Sequence, residues 1–185
     1  MQNTTDLKIF ITGNAGAGKT SVAKQLGEKL QITPLSLDGI VWQSGWKLTS
    51  ELERIAGINH ITKTKKIWII DGVSKYVMDM ANVIIFLDIK RSTCYLRLIK
   101  RNWKYLLKSR PELPPKCPEI LIVKRLISIV WNFDKLVKPN IIKHITENKE
   151  SKLIYHITTP VEIDLLFQDL DVRLAKINFS SDILL

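Results

Sequence analysis

Residues 7–21 read LKIFITGNAGAGKTS, an apolar run that empties into glycines and then into a lysine and a threonine. Leu7 to Thr12 has the composition of a short β-strand, and the following KTSVAKQLGEKL places Val22, Ala23, Leu26 and Leu30 at helical spacing. Between them Gly13-Asn14-Ala15-Gly16-Ala17-Gly18-Lys19-Thr20 satisfies every fixed position of G-x-x-x-x-G-K-[ST]. Small residues let consecutive backbone N–H groups curl round a phosphate, and the helix N-terminus adds partial positive charge. Gly13 to Ser21 would then cradle ATP, with Lys19 on the β and γ phosphates and the Thr20 hydroxyl a ligand for Mg²⁺. A chance match in a chain of this length is on the order of one per cent. The loop therefore implies a nucleotide phosphate site rather than a bare strand-to-helix turn.

Working outward, Thr33–Leu37 reads as a weaker strand and Thr49 to about Lys63 as a helix through Leu52, Ile55, Ala56 and Ile58. KIWII (Lys66–Ile70) and NVIIFL (Asn82–Leu87) are continuous apolar runs ending in Asp71 and Asp88, as suits strands covered on both faces of a parallel sheet. A helical pattern from Arg91 to about Lys108 stops at the proline-rich RPELPPKCPE, which cannot be helix interior. Helices are expected over Glu119 to about Asp134 and Pro139 to about Glu147, a last strand over Lys152–Ile157 and a last helix over Pro160–Leu170. This alternation predicts an α/β sheet with crossover helices across one domain, residues 1–185.

Composition narrows the class. With 45% hydrophobic and 25% charged residues among 185, the chain is no disordered polymer. Its strongest apolar stretch, Ile120–Trp131, is interrupted by Lys124 and Arg125, well short of the ~20 residues that cross a bilayer. MQNTTDLK lacks the pattern of a signal peptide. Cys94 and Cys117 match no metal spacing and read as reduced thiols, one in the core and one in a loop. A cytoplasmic location follows as the expectation, with no membrane partner and either a monomer or a homodimer. Residues 90–143 hold 14 Lys+Arg against Glu112, Glu119 and Asp134, so one segment carries a net +11 of the chain's +10. Such a segment is either a phosphate-handling lid or a nucleic-acid surface.

The chain lacks a guanine-reading N-K-x-D, since Asn148-Lys149-Glu150-Ser151 fails at its last position. It also lacks the Asp-Glu pair of large motor ATPases, because Asp71 precedes Gly72. A small kinase is the class that remains. Asp71, closing a buried strand, is the expected Mg²⁺ carboxylate, with Asp88 as its rival. Asp38 is expected at the end of the second strand, on the sheet edge where α/β ligands gather, and is assigned as the base or orienting group for an acceptor hydroxyl. Trp42 and Trp46 flank Gly45 and would either stack on a ring-shaped acceptor or pack in the core. His156, inside an apolar run, reads as a core histidine.

The P-loop, SLDGIVWQSGW (Ser36–Trp46), IIDG (Ile69–Gly72), LDIKRSTCYLRLIKR (Leu87–Arg101) and RPELPPKCPE together resemble the adenylate-kinase-like P-loop proteins often labelled DNA topology modulation or flagellar-regulator proteins. The resemblance runs from about Lys8 to Trp131. It implies a five-stranded parallel sheet in the order 2-3-1-4-5, flanked by helices, with an acceptor-binding segment at about 36–64 and a basic helical lid at about 97–134. It also implies Arg97 near the adenine, Arg101 near the triphosphate, and Arg110 closing from the lid. Two departures separate the chain from adenylate kinase: Val73-Ser74-Lys75 replaces the Pro-Arg of D-G-x-P-R, and the segment between strands two and three is read as lacking an arginine for an AMP phosphate.

The sequence thus predicts an ATP- and Mg²⁺-dependent phosphotransferase for a small hydroxylated or nucleotide-like acceptor, with Lys19, Asp38, Arg101 and Arg110 as catalytic residues. The competing expectation is a nucleic-acid-binding regulator switched by ATP.

Overall fold

The computed structural model describes residues 6–105, 109 and 111–170. Strand β1 (Leu7–Gly13) lies at the centre of a five-stranded sheet and pairs in parallel with β5 (Ile67–Asp71) on one side and β6 (Val83–Leu87) on the other. The order is completed by β2 (Leu35–Ser36) beside β5 and β7 (Leu153–Ile157) beside β6. Counted within this sheet alone, the strands run 2-3-1-4-5, as predicted. Parallel strands in this arrangement bring their carboxyl ends to one edge, where Gly13, Ser36, Asp71 and Leu87 align.

Alternation along the strands divides the core in two. Ile9, Ile11, Ile69, Ile85 and Leu87 pack under α1 (Lys19–Leu30) and α5 (Arg91–Tyr105), against Val22, Leu26, Cys94 and Leu98. Phe10, Trp68, Ile70, Ile84 and Phe86 face the other way, against Val77 and Met78 of α4 (Lys75–Met80), Phe133 of α6 (Val123–Leu136) and Ile141 of α7 (Lys138–Asn148). A 3₁₀ turn, Glu119–Ile122, leads into α6, and residues 161–170 form a closing helical segment. Among the described residues, no helix is long and apolar enough to cross a membrane.

Several local expectations shift. The second strand is only Leu35–Ser36, because the chain turns at once into the short helix α2 (Leu37–Val41); Asp38 therefore sits in the first turn of a helix and not on a strand. Trp42 and Trp46 belong to a two-stranded hairpin, β3 (Trp42–Gln43) and β4 (Lys47–Leu48), whose turn uses left-handed backbone at Gly45 and Trp46. The helix expected from Thr49 is α3 (Glu51–Thr64), set by a capping box between Ser50 and Glu53. His156 is exposed rather than core. β7 is an edge strand, and its ring stacks on Phe86 at 5.0 Å while Nε2 meets Asp88 at 2.9 Å.

Candidate active site

The loop after β1 is held in shape by its glycines. A Cβ on Gly13 would stand 2.5 Å from the Leu87 carbonyl oxygen, and one on Gly16, at φ +80°, 2.5 Å from that of Cys94. Gly18, left-handed at φ 105°, opens α1 with no side-chain cap, so the first-turn N–H groups face the loop's hollow. Asn14 pins the loop from behind: Ala15 N–H donates to its Oδ1 at 2.7 Å, and its Nδ2 donates to the buried Val130 carbonyl at 3.1 Å. Arg97 of α5 donates through Nη1 to the Ala17 carbonyl at 2.8 Å, bracing the loop from the side. Sequence reasoning assigned Arg97 to the nucleotide; the geometry sets it against the loop that would hold the nucleotide.

Lys19 Nζ donates to the Gly13 and Asn14 carbonyls at 3.0 and 2.9 Å, across the mouth of the loop. Burial pulls its pKa down, while the carboxylates of Asp38 and Asp71 pull it back up. The hydroxyl of Thr20 donates to Asp71 Oδ2 at 2.8 Å, joining the start of α1 to the end of β5. Burial pushes the Asp71 carboxyl up, opposed by the Thr20 hydroxyl, Lys19 and the Ser36 hydroxyl. Two hard oxygen donors at the foot of a phosphate loop suit Mg²⁺, which takes one or two protein oxygens and completes its shell with phosphate and water. The buried Asp71 carboxylate gains from a cation beside it. Asp88, the rival ligand, is instead engaged by Lys138 at 2.7 Å and by His156.

These groups face one cavity of about 1050 Å³. Its walls include Gly13, Ala15, Gly16, Gly18, Lys19, Thr20, Ser21 and Asp71 on the phosphate side, and Asp38, Trp42, Trp46 and Arg54 on the other. From α5 and α6 come Arg97, Lys100, Arg101 and Arg125, so part of the basic segment's charge borders the cavity. Asp38, Asp71 and Arg101 are all close enough to shift Lys19, which places the expected catalytic groups together. Arg110 lies outside the described residues. Ala17 is buried beneath the loop and supplies its carbonyl to Arg97.

The far wall holds what sequence reasoning missed. Trp42 and Trp46 meet edge to face at 5.3 Å, and the Arg125 guanidinium lies 4.7 Å over the Trp42 ring. Arg54, on α3, lies in the segment read as lacking an arginine; it lines the cavity, and its Nε is buried with no hydrogen-bond partner. The segment thus does place an arginine at the cavity wall. The signal was present in ELERIAG, where Arg54 interrupts the apolar positions Leu52, Ile55 and Ala56. The proline-rich segment reaches over this wall: Trp46 Nε1 donates to the Pro118 carbonyl at 2.9 Å, Trp46 N–H meets Cys117 Sγ at 3.4 Å, and Glu112 pairs with Lys24 of α1.

A solved structure with this arrangement of elements is that of shikimate kinase from Acinetobacter baumannii in complex with shikimate, which matches with a TM-score of 0.58 and 17% identity over 93% of this chain and 95% of that one. The fold is a P-loop α/β fold, a five-stranded parallel sheet flanked by helices. An uncharacterized protein from Eubacterium ventriosum shares it, with a TM-score of 0.50 and 14% identity over 90% of this chain and 99% of that one. No protein-family model and no curated protein matches the chain.

Proposed function

We propose that the protein is an ATP-dependent phosphotransferase whose acceptor is a small hydroxylated molecule carrying an anionic group. The observation that carries this reading is that the phosphate loop with Lys19 lines the same cavity as Asp38 and Arg54. The fold shared with a structure that holds shikimate supports it at the level of class.

In this reading the loop amides and Lys19 hold the β and γ phosphates, while Arg97 keeps the loop rigid. Thr20 and Asp71 would hold Mg²⁺, which would neutralise phosphate charge. Asp38 takes the proton of the acceptor hydroxyl as the acceptor oxygen bonds to the γ-phosphorus and the bond from that phosphorus to the β–γ bridging oxygen breaks, so that ADP leaves. Arg101 lies beside Lys19 and offsets charge on the transferring group, for phosphoryl transfer depends mainly on positioning and electrostatics. Residues 36–64 serve as the acceptor segment and residues 97–134 as a lid that excludes water, with Arg110 on it. An unpartnered guanidinium NH inside a cavity is costly; a carboxylate or phosphate on the acceptor satisfies Arg54, and Arg125 stands on the same wall.

The test is ADP release from Mg-ATP with hydroxylated acids, shikimate among them, each paired with its neutral methyl ester. An acid should stimulate release and its ester should not, and Arg54→Leu should raise the acceptor KM more than it lowers kcat. Equal turnover of acids and esters, with Arg54→Leu silent, would remove the anionic acceptor from this account.

A further inference from the structure

The back of the catalytic helix is apolar where solvent should be. On α5 the residues that line the cavity, Arg97 and Arg101, are each two positions from Ile99, and at 100° per residue two positions point to nearly opposite sides of a helix. On that opposite side Ile99 is 66% exposed and Leu96 68%; beside them, Leu121 before α6 is 69% exposed, and Ile127 and Trp131 on α6 are 50% and 64% exposed. The two helices pack side by side. Tyr95, one turn before Ile99, donates its hydroxyl to the Ile127 carbonyl at 3.1 Å, and Arg91 lies 5.0 Å over the Trp131 ring and donates to the Trp131 carbonyl. Exposed Lys124 and Lys135 stand on the same stripe of α6 as Ile127 and Trp131, at spacings of three, four and seven or eight residues.

We propose that this α5–α6 face docks on an anionic phospholipid surface. Charge chooses the occupant: among the described residues, Arg91, Lys124 and Lys135 border the apolar side chains and Asp134 is held by Arg91, so the face is net basic, repels a second copy of itself and attracts an acidic surface. Side-chain type chooses between acidic occupants. Nucleic acid engages cations and aromatic rings, but exposed Ile99, Leu96, Ile127 and Leu121 offer nothing to a phosphate backbone or a base edge. Aliphatic residues and a tryptophan ringed by lysine and arginine are the elements of interfacial binding, in which the apolar groups enter the headgroup boundary and the cations meet lipid phosphate. The cavity-facing side of α5 remains free of the bilayer in this pose. The proposal does not depend on what the cavity phosphorylates.

The test is co-sedimentation of the full chain with vesicles of phosphatidylcholine alone or mixed with phosphatidylglycerol, at physiological salt. Binding is expected to the mixed vesicles only. Ile99→Ser with Trp131→Ser should weaken it about tenfold or more through lost apolar insertion, and Lys124→Glu with Lys135→Glu by at least as much. Both variants should keep the wild-type far-ultraviolet circular dichroism and a cooperative thermal transition, which report that they fold. The proposal is overturned by absent binding to mixed vesicles, by binding that the serine pair leaves unchanged, or by single-stranded nucleic acid binding more tightly than the vesicles through the same residues.

Discussion

Lys19 is the residue on which most of the site converges. It bridges two loop carbonyls, lies within electrostatic reach of Asp38 and Asp71, and is buried enough for its pKa to fall. A phosphate chain would replace those carbonyls as its partner and pull its pKa back up. Mg-ATP should therefore raise the thermal midpoint of the wild type by an amount that grows as RT ln(1 + [L]/Kd), and Lys19→Ala should lose most of that rise. A shift in the variant equal to the wild type's would mean that nucleotide binds elsewhere. Gly16 tests the loop's geometry separately from its charge. Gly16→Ala forces a Cβ against the Cys94 carbonyl at a left-handed φ, so a loss of about 1–3 kcal/mol is expected in urea unfolding, along with weakened ATP binding. This much was legible in the sequence, because a phosphate loop is encoded by contiguous residues. ELERIAG marked Arg54 only as a charge among apolar positions; its place on the cavity wall was not legible, because it depends on where α3 sets it.

At the scale of elements, the site is assembled by pieces with little local signature. The hairpin of β3 and β4 has two residues per strand and no apolar alternation, so no period marks it. The same holds for α2 and α4, which are single turns or little more. The long strands, by contrast, were readable because burial on both faces leaves unbroken apolar runs. His156 shows the limit of that logic: an apolar run at a sheet edge still has one open side. The hairpin's link to the proline-rich segment gives a prediction. Trp46→Phe keeps the ring contact with Trp42 but removes the hydrogen bond to the Pro118 carbonyl. Amide exchange should quicken in residues 42–48 and 111–118 and stay unchanged in β1, β5 and β6. Uniform protection would show that the two segments are not tied through this bond.

Helix α7 carries a second element-scale prediction. Buried His144 faces Asp79 through Nδ1 at 3.3 Å, and its Nε2 has no partner. Burial lowers its pKa from 6.5; Lys152 and Lys75 lower it further, and Asp79 and Glu147 oppose them. The unfolded chain takes up this proton before the folded one does. The stabilisation is thus complete above 6.5 and is lost as the pH falls from there towards the folded-state value. His144→Gln should flatten the decline of the thermal midpoint over that range, and an unchanged slope would assign the decline to other groups.

For the whole molecule, the sheet order brings four candidate parts of the site to one edge: the glycine loop after β1, Asp38 after β2, Asp71 at the end of β5, and the basic helices after β6. Among the basic residues of 90–143, Arg97, Lys100, Arg101 and Arg125 border the cavity while Arg91, Lys124 and Lys135 lie on the outside of α5 and α6, which charge counting along the chain could not reveal. A cavity built this way should bind two ligands and transfer a group between them. The most direct measurement is mass spectrometry of acceptors after incubation with Mg-ATP and a library of hydroxylated acids, run in parallel for wild type, Lys19→Ala and Asp38→Asn. The account predicts an acid that gains one phosphoryl group with the wild type, none detectable with Lys19→Ala, and a yield reduced by roughly 10²–10⁴-fold with Asp38→Asn at unchanged ATP affinity. Transfer that persists at the wild-type rate in both variants, or no phosphorylated acceptor of any kind from a wild type that binds Mg-ATP, would contradict it.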